Sequence, residues 1–308
     1  MKAPDWSSRS LGSRFKHQIF YLLISKFGPR AAYPLLYLVV FYYSLCPKVY
    51  RRSRPYLSRR FPGGSLFVKW RHSFRLNLSF GLILLERAIM GLTGRMDFQD
   101  PEGGSEALKE LLAEGRGLLI LSAHVGAWQS GLGWLPGLSV PVNIVQRREE
   151  MDVDRHYFEH GQKLAAPKLI DASQPGPALA TMSAALLAGE IVCVMADRAR
   201  PEDSLTVTVP FLGQDIILPG APFYLSARLQ SPMALVFTSR SGRSRVAGKV
   251  WGRIRPENSG PEFFELPALA QKFIDGLEDF VAQHPYQYFN FYDQWSIEKH
   301  DDGNKKRA

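Results

Sequence analysis

The chain is predicted to be an α/β protein, a mainly parallel sheet covered by helices, with an N-terminal helical membrane-binding region. Three observations predict this. From Gly117 onward, short unbroken apolar runs alternate with segments of helical period. The first 75 residues carry fifteen Lys and Arg against one acid, Asp5, a net +14 that leaves −5 on the other 233 residues. The 308-residue chain is 45% hydrophobic and 22% charged, enough apolar material for a large folded core.

Residues 1–60 are basic and apolar at once. A local anionic partner is implied, either nucleic acid or a phospholipid surface. The runs IFYLLI (19–24) and AAYPLLYLVVFYYSL (31–45) decide against nucleic acid, because a solvated basic arm has no use for them. The second run is about five residues short of the roughly 20 that span a bilayer, and Pro34 interrupts its first turns. Both of its flanks are basic, without the imbalance in Lys and Arg that orients a spanning helix. A helix or helical pair lying in, or dipping into, the cytoplasmic leaflet is therefore expected, with Tyr33, Tyr37, Tyr42 and Tyr43 at the interface. The alternative is a buried hairpin in the core of a soluble protein. The late apolar run with no small-residue cleavage site after it is not a secretory signal. Two distant cysteines, Cys46 and Cys193, exclude a disulfide scaffold, suit a reducing compartment and offer no metal site.

The remaining elements follow in order. Apolar residues at helical spacing (Phe74, Leu78, Leu82, Leu85, Ile89) predict an amphipathic helix over 69–92. DPEGG (100–104) is a turn and 105–114 a short helix. GLLILSA (117–123) reads as a buried parallel strand, with a helix expected at 126–134. VPVNIVQ (140–146) is the next strand, 155–164 a polar helix and KLIDA (168–172) a brief third strand. A helix over 175–189 has Pro175 and Pro177 in its opening turn, and EIVCVMAD (190–197) is the fourth strand. A hairpin-like stretch (205–218), a helix (221–230), strands at 233–239 and 244–252, and a helix from about 266 to 282 complete the pattern. Strands alternating with helices imply a mainly parallel sheet. The chain divides into an N-terminal region 1–94, a main domain 95–297 and a polar tail 298–308.

The sharpest candidate for chemistry is His124 in S-A-H-V-G-A-W-Q (122–129), directly after a buried strand, where ligands of open α/β sheets bind. It is either functional there, or it caps the following helix or fills a polar corner. Gly126 lets a backbone or a substrate approach closely, and Trp128 is placed to wall an apolar tunnel. Arg147 and Arg148, and then Arg198, are candidate cations for phosphate or carboxylate groups, the alternative for the first two being a solvated rim. His156 and His160 stand at i,i+4, but Tyr157 replaces the glutamate of a zinc-peptidase motif. His284 heads an aromatic stretch expected to pack against the sheet. Neither a serine-hydrolase elbow nor a nucleotide loop occurs.

The segment 122–129 resembles the H-x4-D/E motif of glycerolipid acyltransferases, and more closely the H-x-G-x-W-E form of the lipid A biosynthesis (late) acyltransferase family. D-R (197–198), V-P-F-L-G (209–213) and P-G-A-P-F-Y-L-S-A-R-L (219–229) resemble that family's later stretches in the right order. W-S-S-R-S-L-G-S (6–13), Y-L-S-R-R (56–60) and H-P-Y-Q-Y-F-N-F-Y-D-Q-W (284–295) resemble a branch found near aryl-polyene gene clusters. The resemblance implies a glycerolipid-acyltransferase-like fold. It implies transfer of a fatty acyl group from a thioester of acyl carrier protein or coenzyme A to a lipid hydroxyl. The implied place is the cytoplasmic face of a Gram-negative inner membrane.

His124 would then be the general base, with no covalent intermediate, metal or cofactor. The oxyanion would be met by a helix N-terminus near Gly126 and an arginine. One departure stands out: the family's acid, five residues after the histidine, is here Gln129. An amide fixes the tautomer without supplying charge. Three outcomes follow: another acid serves (Asp197, Glu149 or Asp171), the enzyme is slow or specialised, or the chain is a non-catalytic lipid-binding protein. A soluble thioesterase is the further rival.

Overall fold

The computed structural model describes residues 14–128, 130, 140–146, 168–201, 203–257 and 262–295. Four helices come first: α1 (Arg14–Phe27), α2 (Ala32–Ser44) after a short 3-10 turn at Pro29–Ala31, α3 (Pro47–Arg60) and α4 (Leu66–Thr93). Pro34 falls in the first turn of α2, where its missing N–H costs nothing. The α2 and α3 segments meet at an 88° bend. Ser65 caps α4 through a bond from the Val68 N–H, and Gly94 ends it in the left-handed region at φ 66°. With 28 residues, α4 is long and apolar enough to cross a membrane. Much of one side nevertheless packs on protein: Leu82, Leu85 and Ile89 against Leu36 and Val40 of α2, and Leu76 and Ile83 in the same core as the sheet.

The chain continues as β1 (Asp97–Gln99), α5 (Gly104–Leu112), β2 (Leu118–Ser122), β3 (Val142–Gln146), β4 (Lys168–Asp171), α6 (Pro175–Leu187) and β5 (Ile191–Met195). The hairpin β6 (Thr206–Phe211) and β7 (Gln214–Pro219), α7 (Ala221–Leu229), β8 (Met233–Gly242), β9 (Arg245–Ile254) and α8 (Glu262–Gln283) follow. Among the described residues seven strands form one sheet in the order β1-β9-β8-β2-β5-β3-β4, parallel throughout except between β8 and β9. The unbroken apolar run of β2 is explained by its central place: Leu118 to Leu121 are all buried, as in strands covered on both faces. Strand β1 escapes sequence analysis because three residues are too few to show a period.

One expectation needs correction. Residues 126–128 and 130 form turns and no helix begins there, because Gly126 takes φ +50°. The expected polar helix at 155–164, the basic tail 298–308, Gln129, Arg147, Arg148, Glu149, His156 and His160 all lie outside the described residues.

Candidate active site

The site is a consequence of strand register. Strand β2 pairs in parallel with β5 so that Leu118 faces Ile191 and Ser122 faces Met195. Carried two residues past the strand ends, the same register sets His124 beside Asp197. The Asp197 side chain is fully buried, whereas that of His124 is 23% exposed. The imidazole Nδ1 lies 2.9 Å from Asp197 Oδ1 and 3.1 Å from Oδ2, and the backbone N–H of His124 also donates to Oδ2 at 3.1 Å. One carboxylate thus grips both the ring and the main chain of the same residue. Asp171, another acid proposed from sequence, stands three ladders from β2 on the edge strand, on the order of 14 Å away by strand spacing, and accepts from the Ser173 N–H.

Burial, aided by the nearby Arg198 and Arg200, lowers the pKa of His124 below its usual value despite the opposing pull of Asp197. Burial alone would raise Asp197, but the charges of His124 and Arg198 and its hydrogen bonds outweigh that and hold it below the usual carboxylate range. At neutral pH the pair is therefore a carboxylate accepting Nδ1–H from a neutral imidazole. The lone pair is on Nε2.

The walls come from three separate parts of the chain. Trp128 lies 5.8 Å, centroid to centroid, from the His124 ring and is near-parallel to Phe80 of α4 at 6.3 Å. Phe289 lies 5.6 Å from Trp128 and 5.1 Å from Phe80, and Phe291 lies 5.2 Å from Phe80. Aromatic side chains from α4 and the C-terminal stretch thus pack around Trp128, and Trp128 in turn borders the imidazole. The sequence marked Trp128 as such a wall but read 284–295 only as packing. Phe80, Phe289 and Phe291 were missed, since aromatic residues in a core and beside a site look alike in a sequence.

Gly126 meets protein backbone: a Cβ there would lie 1.6 Å from the carbonyl oxygen of Thr238 in β8. Its N–H donates to the Gln287 carbonyl at 2.7 Å, so the expected oxyanion donor at Gly126 is already engaged. Arg198 donates to the Phe289 carbonyl at 2.7 Å and lies over the Tyr292 ring. His284 follows the last residue of α8, and its ring packs against Trp251 of β9 and Phe280. Among the described residues no group of three or more His, Cys, Asp or Glu is arranged to hold a metal ion.

An α/β sheet with a histidine–carboxylate pair just past the carboxyl ends of two adjacent strands, beside Trp128, has the groups that general acid–base chemistry requires. Residues 87–296 match the sequence model described as bacterial lipid A biosynthesis acyltransferase, and the chain belongs to that family. It is also 24% identical over 198 residues to a phosphatidylinositol mannoside acyltransferase of Mycobacterium tuberculosis. That alignment covers 63% of this chain and 59% of the mycobacterial protein.

Proposed function

We propose that the protein transfers a fatty acyl group from a thioester, carried by acyl carrier protein or coenzyme A, to the hydroxyl of a lipid acceptor, with His124 as general base. The observation that carries this reading is the His124–Asp197 pair: a neutral imidazole fixed by a buried carboxylate, partly open, beside aromatic walls. Nε2 takes the proton of the acceptor hydroxyl as its oxygen attacks the thioester carbonyl. Asp197 stabilises the imidazolium so formed. Collapse of the tetrahedral intermediate expels the thiolate, which takes the proton back from the imidazolium, leaving ester and free thiol. Asp197 thus supplies the charge that an amide at position 129 lacks. Family membership and the mycobacterial relative support acyl transfer to a lipid.

The proposed setting is the cytoplasmic face of the inner membrane. One face of α2 is apolar and exposed through Tyr37, Leu38, Phe41, Tyr42 and Leu45, and the adjoining α3 carries Lys48, Arg51 and Arg54 outward. An apolar face bordered by cations fits an anionic phospholipid surface. The deciding experiment supplies purified protein with an acyl thioester and membrane lipid. Thiol release that requires the lipid and disappears in His124→Ala supports acyl transfer. Release without lipid acceptor points to a thioesterase, and no release from the wild type points to a lipid-binding protein.

A further inference from the structure

Strand β2 ends at Ser122, so His124 stands two residues beyond the ladder that holds the sheet together. Besides the Asp197 carboxylate at its N–H, what holds its main chain is the C-terminal stretch. The Gly126 N–H donates to the Gln287 carbonyl at 2.7 Å, Val125 and Tyr288 form an antiparallel bridge, and the Phe289 N–H donates to the His124 carbonyl at 2.9 Å. Residues 287–289 thus form a short strap against the 124–126 turn. Tyr288, Phe289 and Asn290 are buried. The strap is anchored on its other side by Gln287, whose side-chain oxygen accepts from the Arg240 N–H at 2.8 Å and whose amide donates to the Arg240 carbonyl at 3.2 Å. Beyond Phe289, the Asn290 side chain accepts from the Tyr292 N–H at 3.2 Å and closes the turn.

Arg198 joins this strap to the acid. Its Nη2 donates to the Phe289 carbonyl at 2.7 Å, its Nε lies 3.6 Å from Asp197 Oδ2, and its guanidinium carbon lies 5.4 Å from the Tyr292 ring centroid. The side chain is only 13% exposed. We propose that Arg198 is a positioning residue for His124, holding the C-terminal strap and Asp197 in one arrangement around the imidazole, and not a clamp on substrate phosphate or carboxylate.

The imidazole is fixed at the ring by Asp197 and at the main chain by the strap, and Arg198 touches both restraints. A guanidinium presents several donors in a rigid fork and so can serve two partners at once, which a lysine ammonium on a flexible stem does poorly. The same placement biases the proton. Among the described residues the charged groups acting on His124 are Asp197, Arg198 and Arg200 from the β5 end. From the strap, Tyr288 and Tyr292 act on Asp197. The nearby Phe80 and Trp128 bring no charge. Arg198 is the cation that most opposes protonation of His124, so its removal favours the imidazolium.

The inference rests on the proposed acyl transfer for its kinetic arm and stands without it for its spectroscopic arm. Steady-state kinetics across pH are compared for wild type, Arg198→Gln, Arg198→Lys and Gln287→Ala. Arg198→Gln is expected to lower kcat by about 10²-fold, the loss typical of a small misplacement at a reacting centre, with KM for donor and acceptor retained. The acid limb of its kcat/KM profile moves to higher pH. Arg198→Lys also lowers kcat but leaves the acid limb in place, since the charge remains. Gln287→Ala loosens the strap without touching the charge, so kcat falls by about tenfold and the limb stays.

A raised KM with kcat retained in Arg198→Gln would make Arg198 a substrate clamp and overturn the proposal, as would unchanged kcat in Gln287→Ala. Should Arg198→Gln fail to fold, the lysine and Gln287 variants still decide between the two. Should the wild type release no thiol, the functional reading fails separately. The imidazole titration of His124, followed by NMR in wild type and both Arg198 variants, then tests the inference: an upward shift in Arg198→Gln alone supports it, and no shift overturns it.

Discussion

Among the described residues two carboxylates are buried, Asp197 and Glu86, and they are put to different uses. Asp197, at the end of β5, faces an imidazole that can take up a proton and is partly open. Glu86, in α4, is 2% exposed and receives both Nε and Nη2 of Arg240 at 2.9 and 2.8 Å, with the Tyr33 hydroxyl donating at 3.1 Å. Burial and the Glu86 charge push the Tyr33 hydroxyl up to about 12, and the cluster ties α2 and α4 to the end of β8. A buried charge alone therefore does not mark a site. A buried charge whose partner both titrates and keeps an open side does.

The comparison is broken most directly at Asp197. Asp197→Asn is expected to lower turnover by about 10⁴, as replacing the acid by its amide does in the serine-protease triad, while the circular dichroism spectrum is retained. Glu86→Ala is expected to show the reverse: a loss of about 3–5 kcal/mol in denaturant unfolding, with activity per folded molecule preserved. If instead activity vanished and stability held, the two roles assigned here would have to be exchanged.

A smaller effect separates the pair by pH. Folded His124 resists a proton that the unfolded chain accepts below about 6.5, so stability falls as pH drops from there toward the lowered pKa. Folded Asp197 stays ionised below about 3.9, where the unfolded carboxylate protonates, and so contributes a second loss in the same direction at lower pH. His72 and His284 are also depressed, chiefly by burial, and act with His124. The fall in melting temperature between pH 7.5 and 5.5 is thus expected to be reduced, not abolished, in His124→Ala. An unreduced slope would show that the ring is not sheltered. Smallest is Tyr33→Phe, which removes one hydrogen bond to Glu86 and is expected to cost about 1–2 kcal/mol in denaturant unfolding without changing the pH slope.

Much of the fold was legible in the chain. Central strands covered on both faces appear as unbroken apolar runs, so β2, β5 and the start of β8 stood out. His124 stood out because it follows such a run. Asp197 was visible as one of three acids that could serve His124, but no local pattern chose it over Glu149 and Asp171, and the motif spacing directed attention to Gln129. Gly126 signalled a close approach without saying to what, and the neighbour is the Thr238 carbonyl. The helix expected at 126–134 failed at its start because the positive φ of Gly126 and the strap bonds turn the chain there. The strap itself was illegible: its hydrogen bonds run between backbone groups, which every residue but proline carries alike.

Local chemistry of the chain sets the elements, because burial pattern, caps and breakers act over a few neighbouring residues. That is why the basic apolar helices, the parallel strands and the histidine at a strand end can all be named from the residues in order. The meeting of His124 with Asp197 is of another kind. It depends on β5 lying against β2 although β3 and β4 intervene in the chain, and on a register that no local pattern encodes. Contacts between distant segments are set by how whole faces pack together, and only in that packing does an ordinary histidine acquire its acid, its aromatic walls and its strap.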